Sequence, residues 1–198
     1  IIGPSSRPDA DVDYTFGQVS INKPYVDYSG NCGNISSAVG PFAIDEGLVR
    51  CQEGITTVRI HNTNTGKLII ADVPTVDGKA AVLGDCVCDG VPGTGAMIML
   101  DYSDTTGAVT NKLLPTGNPT DVLDIPGFGK IEASLVDVAN PMVFVRAKDL
   151  GLTGIETPQQ VNSNPELLKT LESIRGTAAV MMGMATDLKD ALERVPAF

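Results

Sequence analysis

Residues 28–34 run Tyr-Ser-Gly-Asn-Cys-Gly-Asn, and residues 35–43 continue Ile-Ser-Ser-Ala-Val-Gly-Pro-Phe-Ala. A lone cysteine, Cys32, thus lies between two Gly-Asn pairs, ahead of small and apolar residues. The pattern predicts a loop that leads into the first turn of a buried helix. A helix N-terminus has unpaired N–H groups and partial positive charge, which favour a thiolate and can hold a carboxylate. We therefore predict a proton-transfer site for a small acid.

The alternative for Cys32 is inert packing, because free cysteine is among the most frequently buried residue types. The residue pattern by itself leaves both interpretations open. Other segments of the chain are needed to decide between a catalytic and a structural Cys32.

Composition narrows the class of protein. The chain has 198 residues, enough for one or two domains with a real core, and its 21 glycines and 13 prolines indicate many turns. The net charge is −10 and no Lys/Arg cluster occurs, so nucleic acid is not predicted as a partner. No apolar run reaches the ~18 residues of a membrane-spanning helix, so a membrane is not predicted either.

The four cysteines, Cys32, Cys51, Cys86 and Cys88, have spacings that match no common disulfide framework or zinc site. Reduced thiols and a cytoplasmic location are the simplest interpretation, and no metal site is predicted. The single histidine, His61, falls at a strand end, and we expect it to be structural or exposed.

Several elements are predicted from periodicity and end signals. A helix is predicted over 33–47, interrupted by Pro41 and ended by Gly47. Strands over 55–60 and 67–73 should form a hairpin, and strands are also predicted over 131–138 and 142–145. A long helix over 165–183 should begin at an Asn164 cap, with a short second helix over 185–193.

Beyond Cys32, other segments match a known family in chain order. They are Pro-Ser-Ser-Arg-Pro at 4–8, Asp-Gly-Val-Pro-Gly-Thr-Gly-Ala at 89–96, Leu-Pro-Thr-Gly-Asn at 114–118, Ile-Glu-Ala-Ser-Leu-Val-Asp-Val-Ala-Asn-Pro at 131–141, and Ile-Arg at 174–175 with the Met-Gly-Met run after it. With residues 29–43 they resemble the PrpF family, the 2-methylaconitate isomerases and their relatives within the diaminopimelate-epimerase-like fold.

The resemblance implies an α+β fold of two similar domains, each a curled mixed sheet around a central helix, with the active site between them. By this analogy residues 1–84 form the C-terminal part of the first domain, with the cysteine motif, and residues 85–198 the first part of the second. Family members are longer, so the chain is expected to be a fragment. A family catalytic lysine is expected just upstream of Ile1.

The resemblance also implies a chemistry. We expect a cofactor-independent isomerase that moves a proton and a double bond in an unsaturated tricarboxylate such as 2-methylaconitate, in propionate breakdown. Cys32 and the lysine would be the acid–base pair. Asn31, Gly33 and Asn34 would bind substrate, and Asn140 resembles the asparagine of the epimerases' Gly-Asn-Pro motif. A turn asparagine before proline is the alternative for Asn140.

Three other functions remain open at this stage. One is 4-oxalomesaconate tautomerase, or another aconitate or itaconate isomerase of the same family. The second is an amino-acid racemase or epimerase of the same fold, whose second cysteine would lie beyond Phe198. The third is a non-catalytic binding or accessory protein in which Cys32 is structural. The expected partner is a small unsaturated di- or tricarboxylate, and a homodimer is kept as an option.

Overall fold

The computed structural model describes residues 1–21 and 24–194, except for the side chain of Arg194. The chain forms two compact units, and the boundary between them lies after Thr105. Residues 99–101 belong to the first unit because they pair with strand residues 70–72. The boundary between the two expected epimerase-like domains, after residue 84, stays a prediction.

The first unit is built on a mixed sheet. Its strands are β1 (Ile2–Pro4), β2 (Val12–Tyr14), β3 (Gln18–Val19), β4 (Val26–Asp27), β5 (Gly54–Asn62), β6 (Lys67–Val76), β7 (Lys79–Ala80) and β8 (Met99–Asp101). The order in the main sheet is β1-β2-β5-β6-β7, with β8 also paired to β6. The β2–β5 pair is parallel and the others are antiparallel, while β3 and β4 form a separate ribbon. The predicted mixture of α and β structure is confirmed.

The β5–β6 hairpin is confirmed and forms the centre of this sheet. Inward residues alternate with outward ones on both strands, so Val58 and Ile60 are buried while Arg59 between them is exposed. The turn at 62–66 closes with the Gly66 N–H donating to the Asn62 carbonyl at 2.8 Å. The hairpin therefore has one apolar face for a helix to cover.

The helix predicted over 33–47 is interrupted, as Pro41 requires, and becomes α1 (Gly33–Ser36) and α2 (Val39–Asp45). Proline has no N–H to donate to the carbonyl four residues earlier, that of Ser37. The break lies at residues 37–38, where the Ala38 N–H donates to the Ile35 carbonyl at 3.0 Å in a tighter turn, and Pro41 falls in the first turn of α2. Gly47, at φ 70°, ends α2 in the left-handed conformation as predicted.

Helix α2 lies directly on the β5–β6 hairpin. Its buried residues are Val39, Gly40, Ala43 and Ile44. At Gly40 an added Cβ would lie 2.8 Å from Val73 Cγ2 and 3.2 Å from the Ala71 Cβ, so only glycine fits without displacement. This close approach sets the position of α2, and with it the position of α1 immediately before.

The second unit packs helices on an antiparallel sheet. Its elements are β9 (Asp121–Ile125), β10 (Gly129–Asp137), β11 (Pro141–Val145), α3 (Pro158–Asn162), α4 (Pro165–Met181) and α5 (Leu188–Arg194). The sheet order is β11-β10-β9. The strand predictions for 131–138 and 142–145 are confirmed, whereas β9 and α3 were not anticipated.

Helix α4 confirms the clearest helix prediction. The Asn164 Oδ1 accepts a hydrogen bond from the Leu167 N–H at 3.1 Å, and Pro165 occupies the first helical position. Ile174 and Ala178 join the buried cluster formed by the sheet. Across residues 1–21 and 24–194, the structure has no helix that is both long and apolar enough to cross a bilayer.

Candidate active site

Cys32 is the N-cap residue of α1, with an extended backbone (φ −113°, ψ 111°). It is half-buried, and Gly33 and Asn34 after it are exposed. No side chain caps this helix end within the described residues. The predicted loop-to-helix turn is thus present, and the thiol is not enclosed in the apolar core.

The predicted residues around Cys32 differ in environment. The Gly33 carbonyl accepts a hydrogen bond from the Tyr102 hydroxyl at 3.1 Å. The Asn31 side chain is buried instead, with its amide within 3.3 Å of the Ser36 hydroxyl and of the Asn62 amide. The role of Asn31, Gly33 and Asn34 in binding substrate stays a prediction.

Two tyrosines that sequence analysis did not single out lie near Cys32. Burial raises the pKa of Tyr14 and of Tyr102, and a charge on the Cys32 thiol would raise both further. The Ser36 hydroxyl lies close to Tyr14 and partly offsets the rise in its pKa. Even so, within the part of the chain that the structure describes, the buried Tyr14 hydroxyl has no partner at hydrogen-bond geometry. Both phenols therefore stay neutral near pH 7, and the Tyr102 hydroxyl donates to the Gly33 carbonyl. Both tyrosines are far from Cys32 in the sequence, so the cysteine motif does not indicate them.

Tyr102→Phe tests the contact to Gly33. The ring stays but the hydroxyl that holds the Gly33 carbonyl is lost, so we expect a stability loss of about 0.5–1.5 kcal/mol. We also expect turnover by the predicted isomerase to fall by up to about tenfold, since ~1.4 kcal/mol of transition-state misalignment is a factor of ten. Thermal melting and steady-state kinetics measure the two effects. Tyr25→Phe, at a position 57% exposed, is the control, and identical behaviour of both variants would contradict the expectation.

His61 takes part in a separate polar cluster. Parallel pairing of β2 with β5 places His61 opposite Asp13, and the His61 Nδ1 lies 2.9 Å from the Asp13 Oδ1. The Ser5 and Ser6 hydroxyls donate to the same carboxylate at 2.9 and 2.8 Å. The carboxylate thus lies between serine and histidine, so no serine–base pair is formed. The cluster ties the N-terminal loop to the sheet, in agreement with a structural histidine.

This cluster predicts a pH dependence of stability. Burial by itself would raise the pKa of Asp13, but hydrogen bonds from His61, Ser6 and Ser5 hold it well below the usual 3.8. A carboxyl with a lowered pKa stabilises the folded state above about pH 4 and loses that contribution as the pH falls. We expect Asp13→Asn to flatten the fall in melting temperature between about pH 5 and 3. Asp124→Asn, at an exposed position, is the control, and equal slopes would contradict this.

Asn140 lies in the second unit, in the connection from β10 to β11, just before Pro141. The start of that connection is fixed by Asp137, whose buried carboxylate accepts hydrogen bonds from the Val109 and Thr110 N–H groups at 2.9 and 2.7 Å. Asn140 and Cys32 thus belong to different units, and a shared role stays a prediction. In the described residues no group of three or more His, Cys, Asp or Glu side chains could hold a metal ion.

Several known proteins are similar to this chain over almost all of its length. The chain is 60% identical over 198 residues to 3-methylitaconate isomerase of Eubacterium barkeri, covering 100% of this chain and 52% of that protein. It is 41% identical to 2-methyl-aconitate isomerase of Shewanella oneidensis and to 4-oxalomesaconate tautomerase of Pseudomonas putida, covering 98% of this chain and 51% of each relative.

A crystal structure of methylitaconate-delta-isomerase superposes with a TM-score of 0.84 at 60% identity, covering 100% of this chain and 51% of that one. The chain spans about half the length of the curated relatives it matches. The family model described as PrpF protein matches residues 1–197. The chain therefore belongs to the PrpF protein family.

Proposed function

We propose that this chain carries the Cys32 side of a cofactor-independent isomerase that moves a proton and a double bond in a small unsaturated di- or tricarboxylate. The observation that carries the proposal is the family match over 1–197, which includes a Cys32 left half-buried at a helix end beside exposed Gly33 and Asn34. The named relatives act on 3-methylitaconate, 2-methylaconitate and 4-oxalomesaconate, which share this chemistry.

The proposed reaction needs two acid–base groups. One removes a proton from the carbon next to the double bond, and the electron pair spreads into a carboxylate-conjugated, dienolate-like intermediate. A proton then returns at the other end of the allylic system, so no atom is gained or lost. Cys32 would be one group, and the lysine expected from the family resemblance would be the other. Backbone N–H groups of Gly33 and Asn34, with Asn31 and Asn140, would hold the substrate carboxylates.

Among the substrates, 3-methylitaconate is the first to test. The relative named for it is 60% identical, against 41% for the relatives named for 2-methylaconitate and 4-oxalomesaconate. The tricarboxylate 2-methylaconitate remains the second candidate. The cysteine turn serves either, because the same allylic proton shift is required in both.

The test incubates the protein with each of the three acids in deuterated water and follows proton NMR. We expect one acid to lose its methyl or methylene signal, to gain deuterium, and to give the signals of the shifted double bond. Absence of exchange with all three acids would favour the alternative of a non-catalytic accessory protein.

Three further proposals accompany this function. The cytoplasm is the proposed location, because all four cysteines are free. Two similar epimerase-like domains are the proposed architecture, supported by a sheet with a helix packed on it in each unit. A homodimer stays a prediction that a sedimentation measurement would check.

A further inference from the structure

We propose that Asn62 is a positioning residue for Cys32, holding the cysteine's carbonyl through Asn31 and Ser36. The inference rests on the proposed function of Cys32 and adds to it a residue 31 positions away from Asn31 along the chain. Asn62 lies at the end of β5, at the tip of the β5–β6 hairpin. It contacts the amide of Asn31, the residue immediately before Cys32.

The three side chains that form this connection, those of Asn62, Asn31 and Ser36, are all buried. Asn62 and Ser36 are both 0% exposed, and Asn31 is 9% exposed. Buried amides and hydroxyls need hydrogen-bond partners, because a missing partner leaves their desolvation uncompensated. Hydrogen bonds among the three side chains join the hairpin tip to the cysteine turn.

The orientation of the Asn62 amide follows from a backbone group. The Thr65 N–H donates to the Asn62 Oδ1 at 3.1 Å, and the Thr65 hydroxyl does so at 2.8 Å. A backbone N–H can only donate, so the oxygen of Asn62 must face Thr65. Its nitrogen therefore faces the other way, toward three acceptors: the Asn64 Oδ1 at 3.1 Å, the Asn31 Oδ1 at 3.3 Å and the Tyr14 carbonyl at 3.4 Å. Of its two hydrogens, one can serve Asn31 while the other serves Asn64 or Tyr14.

Two further hydrogen bonds lead from Asn31 through Ser36 to the Cys32 carbonyl. Because the Asn31 Oδ1 accepts, the group of Asn31 that donates is its Nδ2, which lies 3.2 Å from the Ser36 hydroxyl. Ser36 has one hydroxyl hydrogen, and its shorter contact is to the Cys32 carbonyl at 2.8 Å, against 3.3 Å to the Asn31 Oδ1. A one-directional chain of hydrogen bonds thus runs from the hairpin turn to the peptide that follows the thiol.

The Cys32 carbonyl also accepts the Ser36 N–H at 3.1 Å, so two bonds hold this peptide while Cys32 keeps an extended conformation. The hairpin that anchors the chain is the most extensively paired part of the unit. Small displacements of an acid–base group sharply reduce catalysis, so a rigid anchor behind the cysteine has a direct functional consequence.

The test uses Asn62→Leu, Ser36→Ala and the double variant. Two quantities are measured: iodoacetamide modification of Cys32 relative to Cys88 in the same molecule, by mass spectrometry, and turnover of the acid identified above. Thr75→Val is the matched control. It loses a buried hydroxyl that donates to the Gln52 carbonyl, at the opposite end of the same hairpin.

We expect Asn62→Leu to raise the Cys32/Cys88 modification ratio by about threefold or more, because the cysteine turn opens more often. We expect kcat to fall by about tenfold with KM changed by less than about threefold, since alignment and not binding is lost. A general loss of stability would also expose the half-buried thiol and slow catalysis, so the effect is judged against Thr75→Val, which loses a buried hydrogen bond elsewhere in the same hairpin. The double variant should resemble the stronger single one, because both cut the same chain.

The proposal would be overturned if either Asn62→Leu or Ser36→Ala folds and shows the same Cys32/Cys88 modification ratio as Thr75→Val. Ser36→Ala removes a single atom and keeps the test valid if Asn62→Leu does not fold. The modification ratio is measured without substrate, so it tests Asn62 even if the protein isomerises none of the acids. Full turnover of Cys32→Ala would instead reject the proposed function and leave the modification result standing.

Discussion

Cys32→Ala is expected to reduce kcat for the isomerised acid by about 100- to 10,000-fold, with KM changed by less than about threefold. Removal of a positioned acid–base group slows proton transfer, whereas substrate carboxylates are held by other groups. Because Cys32 is half-buried at the start of α1, we expect its replacement to destabilise the fold less than replacement of a core residue would.

Proton NMR in deuterated water separates the two half-reactions for this variant. Loss of deuterium exchange together with turnover would place the thiol in a proton-transfer step. Cys88→Ala, at an exposed thiol outside the candidate site, is the control and should keep full turnover. Near-normal turnover of Cys32→Ala would remove the residue from the mechanism.

Gly40→Ala is expected to cost about 1–3 kcal/mol of folding free energy, because the new Cβ overlaps the core. The added carbon would lie 2.8 Å from Val73 Cγ2 and 3.2 Å from the Ala71 Cβ, both on β6, which is paired with β5 along most of its length. Melting temperature should fall by about 3–10 °C. Since α2 follows α1 directly, we also expect turnover to fall in the folded protein.

A second substitution makes this prediction specific. Val73→Ala removes the methyl that Gly40→Ala would strike, so the double variant should be more stable than the sum of the two single losses by about 0.5 kcal/mol or more. Gly3→Ala, where an added Cβ meets nothing within 4 Å, should change stability by less than about 0.5 kcal/mol. Strict additivity of Gly40→Ala and Val73→Ala would show that the overlap is relieved elsewhere.

Local signals predicted much of the fold. The β5–β6 hairpin followed from alternation and a turn, and α4 followed from the Asn164 cap and Pro165. The interruption before α2 followed from Pro41, whose missing N–H is a property of the residue itself. These features depend on neighbours within a few residues, which the sequence displays directly.

Long-range pairing was not predicted. Strand β8 pairs with β6 across a glycine-rich loop, and β9 has only a short alternating run of its own. At the candidate site the cysteine turn was predicted from its motif, but Tyr102 and Asn62 were not. Both reach it from distant strands or turns, and no spacing in the sequence reveals which distant polar groups will be buried together.

The parallel pairing of β2 with β5 has a consequence for how the first unit is assembled. Residues 15–53, cysteine turn included, form the loop that this pairing closes, whereas β5 and β6 meet through a four-residue turn. Contacts distant in sequence form later than local hairpins because more chain entropy is lost first. On a growing polypeptide, the hydrogen bonds that link Asn62 to Cys32 can therefore form only after the hairpin tip has emerged, so the cysteine turn is fixed well after its own residues have been synthesised.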